Sequence, residues 1–388
     1  MGNNLKDRLQ RIRDFAGPGH PRPGRPWHPQ PERMQPRQTR LPEQTAASFG
    51  PEWKPAGFEV LHRQIKTELP MAVPKTFCDS LVVIIRDFVN YSKIPKPEDL
   101  VFFDLETTGL SGGAGTLAFL ASFGRLVSVK TNPRGKVLGF SLVIEQYLLL
   151  DYPGESDFLE KTKEELQKTG PSGSPRMIIS YNGKTFDSQI INNRCLVNGI
   201  IPPVYFHADL LYPSRRLWKR VLPNCSQGTV ETLIPGLDRT ADIPGAMAPD
   251  IWFSFLRTGN PKELMGICAH NILDIKGLAS ICLLMEIIAK APLKTLDKFS
   301  FDLETLALLW RKEQKPEANE LLEKAAELHM PRALCVLAKD AEWLERDCNK
   351  ALSYTESALD IPEINESLRI DLERRRERLQ KKIEKKCN

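Results

Sequence analysis

The spacing of hydrophobic and polar positions changes along the chain, and each spacing predicts a different element. Between residues 100 and 210, short apolar runs rich in aromatic and β-branched residues are separated by turn residues, which is typical of strands. Five strands are predicted, at Leu100–Leu105, Thr116–Val127, Ser141–Leu150, Arg176–Ser180 and Tyr205–Leu210. Three come in succession and the rest alternate with helices, so the pattern predicts an α/β domain with a mixed five-stranded sheet flanked by helices.

Helical spacing surrounds and follows these strands. The predicted helices before residue 300 are Ser80–Tyr91, Glu155–Lys168, Thr185–Asn198, Pro213–Arg220, Thr229–Leu233, Pro249–Arg257 and Pro261–Ala289. From Leu303 to Lys386 the chain predicts an all-helical region whose Ala- and Leu-rich pairs resemble tetratricopeptide-like hairpins. Two interpretations of this region remain open: a module that binds a partner protein, and an extension that caps the preceding domain.

Composition divides the chain further. Residues 1–50 are rich in Pro and Arg with few aliphatic residues, which predicts a disordered basic arm. The proposed boundaries are 1–50 for this arm, 51–96 for an N-terminal extension, 97–290 for the α/β domain and 301–388 for the helical region. A Gly-rich segment, Gly112–Gly115, predicts a turn between the first two strands of the domain.

Charge and cysteine content limit the class of protein. The arm holds nine Lys and Arg and four acids, which accounts for the whole net charge of +5. No apolar run reaches about 18 residues, and no signal-type core begins the chain, so we expect a cytoplasmic protein without a membrane span. None of the eight cysteines forms a C-x-x-C pair, which argues against structural zinc.

The strongest chemical motif follows the first domain strand. Asp104 and Glu106 stand two positions apart, so a strand directs both side chains to one face. Two acids at the end of an apolar strand repel each other unless a cation neutralises them, and hard oxygen ligands suit Mg²⁺ or Mn²⁺. Thr107 and Thr108 complete the motif and are candidate substrate-binding residues.

Two further motifs add acids to this pair. Asn182, Lys184 and Asp187 lie in a turn that follows a predicted strand and opens a helix. His270 and Asp274 are four positions apart on a predicted helix, so they share a face. Each of these motifs alone is also compatible with ordinary capping or surface residues.

Taken together, the motifs supply four carboxylates and one histidine. Two-metal hydrolysis of phosphodiesters needs such a set, because four acids can hold two divalent ions while water and phosphate keep open positions. Asp104, Glu106, Asp187 and Asp274 are the predicted metal ligands, and His270 is the predicted general base. The expected cofactors are two Mg²⁺ or Mn²⁺ ions.

A basic run with an interleaved aromatic offers further substrate contacts. Arg215, Arg216 and Trp218 suit phosphate contact and base stacking, and Lys184 can reach a phosphate. The alternative is an amphipathic helix with Trp218 packed inward.

These residues resemble the DEDD superfamily of 3′–5′ exonucleases, and more closely the YprB-type ribonuclease-H-like family. The matching segments are Phe103–Thr116, Tyr181–Asp187, His207–Leu211, Arg215–Lys219, Asp242–Gly245 and His270–Asp274. The resemblance implies a ribonuclease-H-like fold, often followed by tetratricopeptide repeats, and metal-dependent nuclease activity. One departure lies in the third motif, where three residues separate His270 from Asp274, a spacing that the superfamily combines with tyrosine.

We therefore expect a 3′–5′ exonuclease that hydrolyses DNA or RNA. One alternative is a structure-selective endonuclease that uses the same acids. The other is a non-catalytic scaffold that binds nucleic acid or protein, in which the helical region performs the main task.

Overall fold

A seven-stranded mixed sheet lies at the centre of the computed structural model, which describes residues 42–91, 93–109, 115–130, 137–239 and 242–387. The strands are β1 (Lys54–Gly57), β2 (Val60–Thr67), β3 (Leu100–Thr107), β4 (Ala118–Lys130), β5 (Val137–Leu149), β6 (Met177–Ser180) and β7 (Phe206–Asp209). Their spatial order is β1-β2-β5-β4-β3-β6-β7. Because β3 pairs antiparallel with β4 and parallel with β6, it is an internal strand.

The α/β fold class is confirmed, but the sheet is larger than predicted. Strands β3 to β7 are the five predicted strands, and β1 and β2 extend the sheet from the N-terminal extension. The alternation in β2 is hard to recognise in sequence because its central residue, Arg63, is a buried cation. The Arg63 Nε donates to Gln146 Oε1 on β5 over 2.8 Å, which satisfies the guanidinium inside the sheet.

Helices cover both faces of the sheet. They are α1 (Pro42–Phe49), α2 (Asp79–Ile84), α3 (Glu155–Gln167), α4 (Asp187–Val197), α5 (Leu211–Trp218), α6 (Gln227–Leu233), α7 (Ala248–Thr258), α8 (Lys262–Lys290), α9 (Pro292–Thr295), α10 (Leu303–Lys312), α11 (Ala318–Glu327), α12 (Pro331–Trp343), α13 (Cys348–Leu359) and α14 (Glu366–Cys387). The predicted helix over Ser80–Tyr91 is in fact α2 followed by a 3₁₀ turn at Arg86–Asn90. Gly199, which follows the predicted helix Thr185–Asn198, has a φ of 71°, which suits the residue after a helix.

The end of the predicted arm is ordered. Residues 42–49 form α1 because Phe49 is buried and its ring lies edge-on to Trp53 and Phe255. This corrects the predicted boundary at residue 50. The remainder of the arm, residues 1–41, and most of the Gly112–Gly115 segment lie outside the described residues.

The alternating side chains of β3 divide between two hydrophobic cores. Leu100 and Phe102 belong to the first core, together with the C-terminal half of α8 and residues of α10, α11 and α12. Val101 and Phe103 belong to the second core, with residues of α3, α4 and α7. The sheet is therefore covered on both faces, and its strand ends remain available for a site.

Helices α10 to α14 form the predicted helical C-terminal region, and its first helix is fixed to the preceding domain. Trp218 Nε1 donates to the carbonyl oxygen of Ser300 over 3.0 Å. Arg220 pairs with Asp302 at 2.7 Å and with Glu304 at 2.9 Å. These contacts fit the interpretation of the region as an extension of the domain, while its tetratricopeptide-like character stays a prediction. Among the described helices, none has the length and apolar content needed to cross a membrane.

Candidate active site

Strand β3 brings the first two acids to the end of the sheet. Asp104 lies opposite Ser122 of β4, and Glu106 follows it on the same side of the strand. The residue between them, Leu105, packs into the second core instead, as the alternation predicts. Glu106 is buried, and Asp104 is partly covered. The pair therefore has little access to bulk water.

The second motif is held by a buried carboxylate. Asn182, whose φ is 64°, makes the turn after β6, and Asp187 begins α4. The Asp209 side chain accepts the backbone N–H groups of Asn182 at 2.8 Å and Lys184 at 3.1 Å. Gly183 permits close approach, since a Cβ there would lie 2.8 Å from Asp187 Oδ2. Asp209 thus acts as a structural hydrogen-bond acceptor that fixes the turn carrying Asp187.

The third motif lies on α8, where His270 and Asp274 share a face as predicted. His270 Nε2 lies 3.0 Å from Asp274 Oδ2, and His270 Nδ1 lies 2.7 Å from Asp242 Oδ1. Burial disfavours the charged imidazolium, but hydrogen bonds to Asp274 and Asp242 and the charge of Asp274 outweigh it and raise the pKa of His270 to about 9. Both ring nitrogens therefore face carboxylates.

The four predicted acids lie close enough to perturb one another. Burial and the charges of Asp274, Asp187 and Glu106 raise the pKa of Asp104 well above its ordinary value. Burial, and then the charge of Asp274, raise the pKa of Glu106 to about 8. Burial and the charge of Asp209 raise the pKa of Asp187 to about 7. This is the electrostatic arrangement expected of acids that a cation would neutralise.

Asp104, Glu106 and Asp274 open onto a cleft of about 330 Å³, called here the acidic cleft. It is lined by Asp104, Leu105, Glu106, Thr107, Asn182, Phe186, Gly245, His270 and Asp274. Within the described part of the chain, Glu106, His270 and Asp274 offer ligand atoms that all lie within 4.8 Å of one another. Two carboxylates and an imidazole at this spacing fit a divalent cation of the Mn²⁺ or Mg²⁺ class.

Four residues of the site were not predicted as site residues from sequence. Asn271 is fully buried and donates from Nδ2 to Asp104 Oδ2 over 2.6 Å. Arg239 forms ion pairs with Asp274 Oδ1 at 2.6 Å, with Asp242 Oδ2 at 2.8 Å and with the buried Glu231. Asp242 appeared only within a segment that carries the family resemblance. No periodicity distinguishes an Arg or Glu that turns inward from one that is solvated.

The predicted stacking residue is in fact part of the core. Trp218 is fully buried between the domain and the helical region, so its ring cannot stack on a substrate base. Arg216 donates from NH1 to the carbonyl oxygen of Ile84 over 2.7 Å, which closes the end of α2. Both observations support the alternative interpretation of this run as an amphipathic helix, because its inner face meets the first core.

The remaining candidates keep positions near the acids. Thr107 donates to the carbonyl oxygen of Gly109, and Thr108 Oγ1 accepts the N–H of Leu117, so both hydroxyls fix the end of β3. Lys184 pairs with Asp87 over 2.7 Å. Arg215 forms no ion pair with another described residue, and its side chain is exposed.

Arg215 borders a second cleft of about 640 Å³, called here the amide cleft. It is lined by Tyr181, Asn182, Leu211, Arg215, Asn224, Cys225, Ser226 and Gln227. Asn182 lines both clefts, so the two adjoin at the second motif. The lining carries one cation and three side-chain amides but no carboxylate, in contrast to the acidic cleft.

Comparison with known proteins identifies the class to which this site belongs. Residues 101–285 match the RNase_H_2 family model of the RNase_H superfamily, so the chain contains a ribonuclease-H-like domain. A curated relative is similar to the same part of the chain. The chain is 34% identical over 191 residues to the uncharacterized protein YprB of Bacillus subtilis (strain 168), a region that covers 48% of this chain and 42% of YprB.

The chain thus spans less than half the length of this curated relative. A solved structure, that of the family B DNA polymerase from the hyperthermophilic archaeon Pyrobaculum calidifontis, matches 57% of this chain and 30% of that chain. The match has a TM-score of 0.34 and 13% sequence identity. A likeness of this size adds nothing to the assignment.

Proposed function

We propose that this protein is a metal-dependent nuclease that removes nucleotides from the 3′ end of a nucleic acid by two-metal phosphodiester hydrolysis. Membership of the ribonuclease-H-like class supports nuclease-type processing of nucleic acid. The observation that carries the finer proposal is that Asp104, Glu106 and Asp274 line one cleft, with Asp187 close enough for its charge to act on Asp104. A scaffold without chemistry has no use for such an unfavourable set of charges.

The donor set fits divalent ions. Asp104, Glu106, Asp187 and Asp274 would hold them, and the raised pKa values of Asp104, Glu106 and Asp187 show that the folded chain lacks enough positive charge of its own at these acids. When bound, the ions would supply a nucleophilic water near neutral pH and neutralise charge on the scissile phosphate. The chain's own residues orient the ligands and the strand.

The amide cleft supports a nucleic-acid strand as the substrate. It adjoins the acidic cleft at Asn182, so a strand whose phosphate meets the acids would place a neighbouring nucleotide there. Arg215 would contact a phosphate, and the exposed amide of Asn224 can donate to a base edge from Nδ2. A negatively charged strand would be repelled by the carboxylates elsewhere along the acidic cleft unless cations were present.

The role of His270 as general base stays a prediction. In this structure its two nitrogens pair with Asp242 and Asp274, which favour the imidazolium, so the ring must lose a proton and open one of these bonds before it can act as a base. Loss of a general base costs about 10²–10⁴ in rate. A His270→Ala variant that keeps the full rate would remove the imidazole from proton transfer.

The decisive experiment uses 3′- and 5′-labelled single-stranded DNA and RNA with Mn²⁺ or Mg²⁺. We expect shortening from the 3′ end that requires metal and that Asp104→Ala abolishes. Asp371→Ala, which removes an exposed acid on α14, is the matched control and should retain full activity.

The same assay separates the alternatives. Cleavage of circular single strands would favour the structure-selective endonuclease. Absence of both cleavage and heat of Mn²⁺ binding in calorimetry would contradict any nuclease and favour the scaffold.

A further inference from the structure

Four charged groups form a closed ring at the third motif, called here the charge ring: Arg239, Asp274, His270 and Asp242. Arg239 NH2 lies 2.6 Å from Asp274 Oδ1, and Asp274 Oδ2 lies 3.0 Å from His270 Nε2. His270 Nδ1 lies 2.7 Å from Asp242 Oδ1, and Asp242 Oδ2 returns to Arg239 NH1 at 2.8 Å. Positive and negative groups alternate around the ring. Both oxygens of Asp274 and both nitrogens of His270 are thereby assigned partners.

Beneath the ring lies a third acid, Glu231. It is fully buried on α6 and pairs with Arg239 Nε, so one guanidinium holds three carboxylates. Gly277 makes this possible, because a Cβ at that position of α8 would lie 1.5 Å from Glu231 Oε2. The planar fork of arginine presents several donors in fixed directions, which a lysine ammonium does not reproduce.

The ring also determines where the third motif faces. Asp274 and His270 stand on one face of α8, and free rotation of either side chain would let it leave the acidic cleft. Arg239 and Asp242 approach from the loop between α6 and α7, and Gly245 permits the close approach of that loop, since a Cβ there would lie 2.9 Å from His270 Nε2. The loop therefore acts on the motif from outside the helix that carries it.

From this geometry we propose that Arg239 is the positioning residue of the third motif, which holds Asp274 and, through Asp242, His270 in the arrangement that binds metal. The proposal rests on the proposed function, since it assigns Arg239 a role in holding residues of the proposed metal site. The competing explanation is purely structural: Arg239 merely neutralises the buried Glu231.

Two variants of the full chain distinguish these explanations. Arg239→Met removes the guanidinium, and Arg239→Met combined with Glu231→Gln also removes the acid that would be left unpaired. Positioning predicts that both variants bind Mn²⁺ about 10–100-fold more weakly in calorimetry, the effect known for residues that orient metal ligands. It also predicts that both variants have a lower kcat with little change in KM. The melting temperature of the double variant should return to that of the wild type.

The outcome that overturns the proposal is a double variant with wild-type Mn²⁺ affinity and kcat, since only charge neutralisation would then matter. Arg239→Lys gives a test that keeps the charge and the fold. Positioning predicts that it recovers stability but not Mn²⁺ affinity, and recovery of both would also contradict the proposal.

Arg220→Met is the matched control. Arg220 likewise forms ion pairs with two acids, Asp302 and Glu304, but at the junction with the helical region and away from the acidic cleft. We expect it to lower the melting temperature and leave Mn²⁺ affinity unchanged. Calorimetry also keeps the two proposals apart, because a chain that binds Mn²⁺ without cleaving nucleic acid would contradict the proposed function but still test Arg239.

Discussion

The side-chain amide of Asn271 donates to Asp104 Oδ2 over 2.6 Å and thereby links α8 to β3. Its second N–H points to Glu106 Oε1 at 3.5 Å, and its Oδ1 accepts from Gln146 Nε2 at 3.3 Å. Gln146 in turn accepts from Arg63. A buried polar chain thus runs from the first motif across the sheet to β2, and every fully buried amide in it is bonded.

The Asn271 contact predicts an effect on metal binding. In Asn271→Ala, Asp104 loses the donor that fixes its orientation, so we expect Mn²⁺ affinity to fall about 10–100-fold in calorimetry. Asn198→Ala is a suitable control, because Asn198 also donates to a carboxylate, that of Glu155, but on a different part of the domain. An unchanged affinity in Asn271→Ala would mean that β3 alone orients Asp104.

Repulsion among the acids predicts that a neutral replacement stabilises the metal-free protein. Asp104→Asn keeps the shape of the side chain but removes a carboxyl whose pKa is raised by burial and by three other acids. At pH 8 we expect the free energy of unfolding to rise, since the amide carries no charge for burial and the neighbouring acids to disfavour. Thermal melting without metal measures this. Mn²⁺ should then stabilise the wild type more than the variant, and the opposite order would contradict a metal site at Asp104.

The raised pKa values also predict the pH dependence of metal binding. Asp187 and Glu106, with pKa values of about 7 and 8, retain protons near pH 6. Metal ligands must be deprotonated, so Mn²⁺ releases protons and its apparent affinity rises between about pH 6 and 8.5. Calorimetry in buffers of different ionisation enthalpy counts these protons.

The stability of the metal-free protein should change with pH in the opposite direction. A carboxyl whose folded pKa is raised holds more protons when folded than when unfolded, so the metal-free protein loses stability as pH rises from about 4.5 to 8. Melting temperatures that stay level over this range without metal would show that the acids do not repel one another as the structure indicates.

Substitutions of Trp218 and Arg215, three positions apart in sequence, should change stability by very different amounts. Trp218→Ala removes a fully buried indole and should cost about 3–5 kcal/mol of stability. Arg215→Ala should change stability by less than about 0.5 kcal/mol because its side chain is exposed. If Arg215 contacts a phosphate, its loss should weaken single-stranded DNA binding and reduce the slope of log affinity against log salt by about 0.7.

Gly277 offers a test of the packing beneath the third motif. Gly277→Ala places a Cβ against Glu231 Oε2 and should destabilise the protein by about 1–3 kcal/mol. Gly228→Ala on α6, where a Cβ meets nothing within 4 Å, is the control and should be neutral or stabilising. Equal melting temperatures for the two variants would show that Glu231 can move aside at no cost.

Local patterns predicted the elements and the acids well, because both depend on short-range spacing. The alternation along β3 placed Asp104 and Glu106 on one side, and the i, i+4 spacing on α8 placed His270 beside Asp274. Strand β2 escaped prediction because Arg63 interrupts its apolar pattern, and its hydrogen-bond partner inside the sheet, Gln146, lies 83 residues further on.

The residues that contact the predicted acids could not be predicted from the sequence for the same reason. Arg239 lies 35 residues from Asp274, and a charged residue in a loop looks alike in sequence whether it is solvated or turned inward. Trp218 illustrates the converse, since an aromatic among basic residues suits either stacking or packing. The burying surface comes from the helical region, at Ser300 and beyond. Long-range contacts decide such cases, and a single sequence does not contain them.

The first hydrophobic core has a consequence for how the chain can be divided. Leu278 and Leu283 of α8, on the helix that carries the third motif, share this core with Leu306 and Trp310 of α10. Ending the chain near residue 290 would leave the C-terminal half of α8 with a bare apolar side and would release Trp218. The helical region therefore contributes to the packing that keeps the third motif folded.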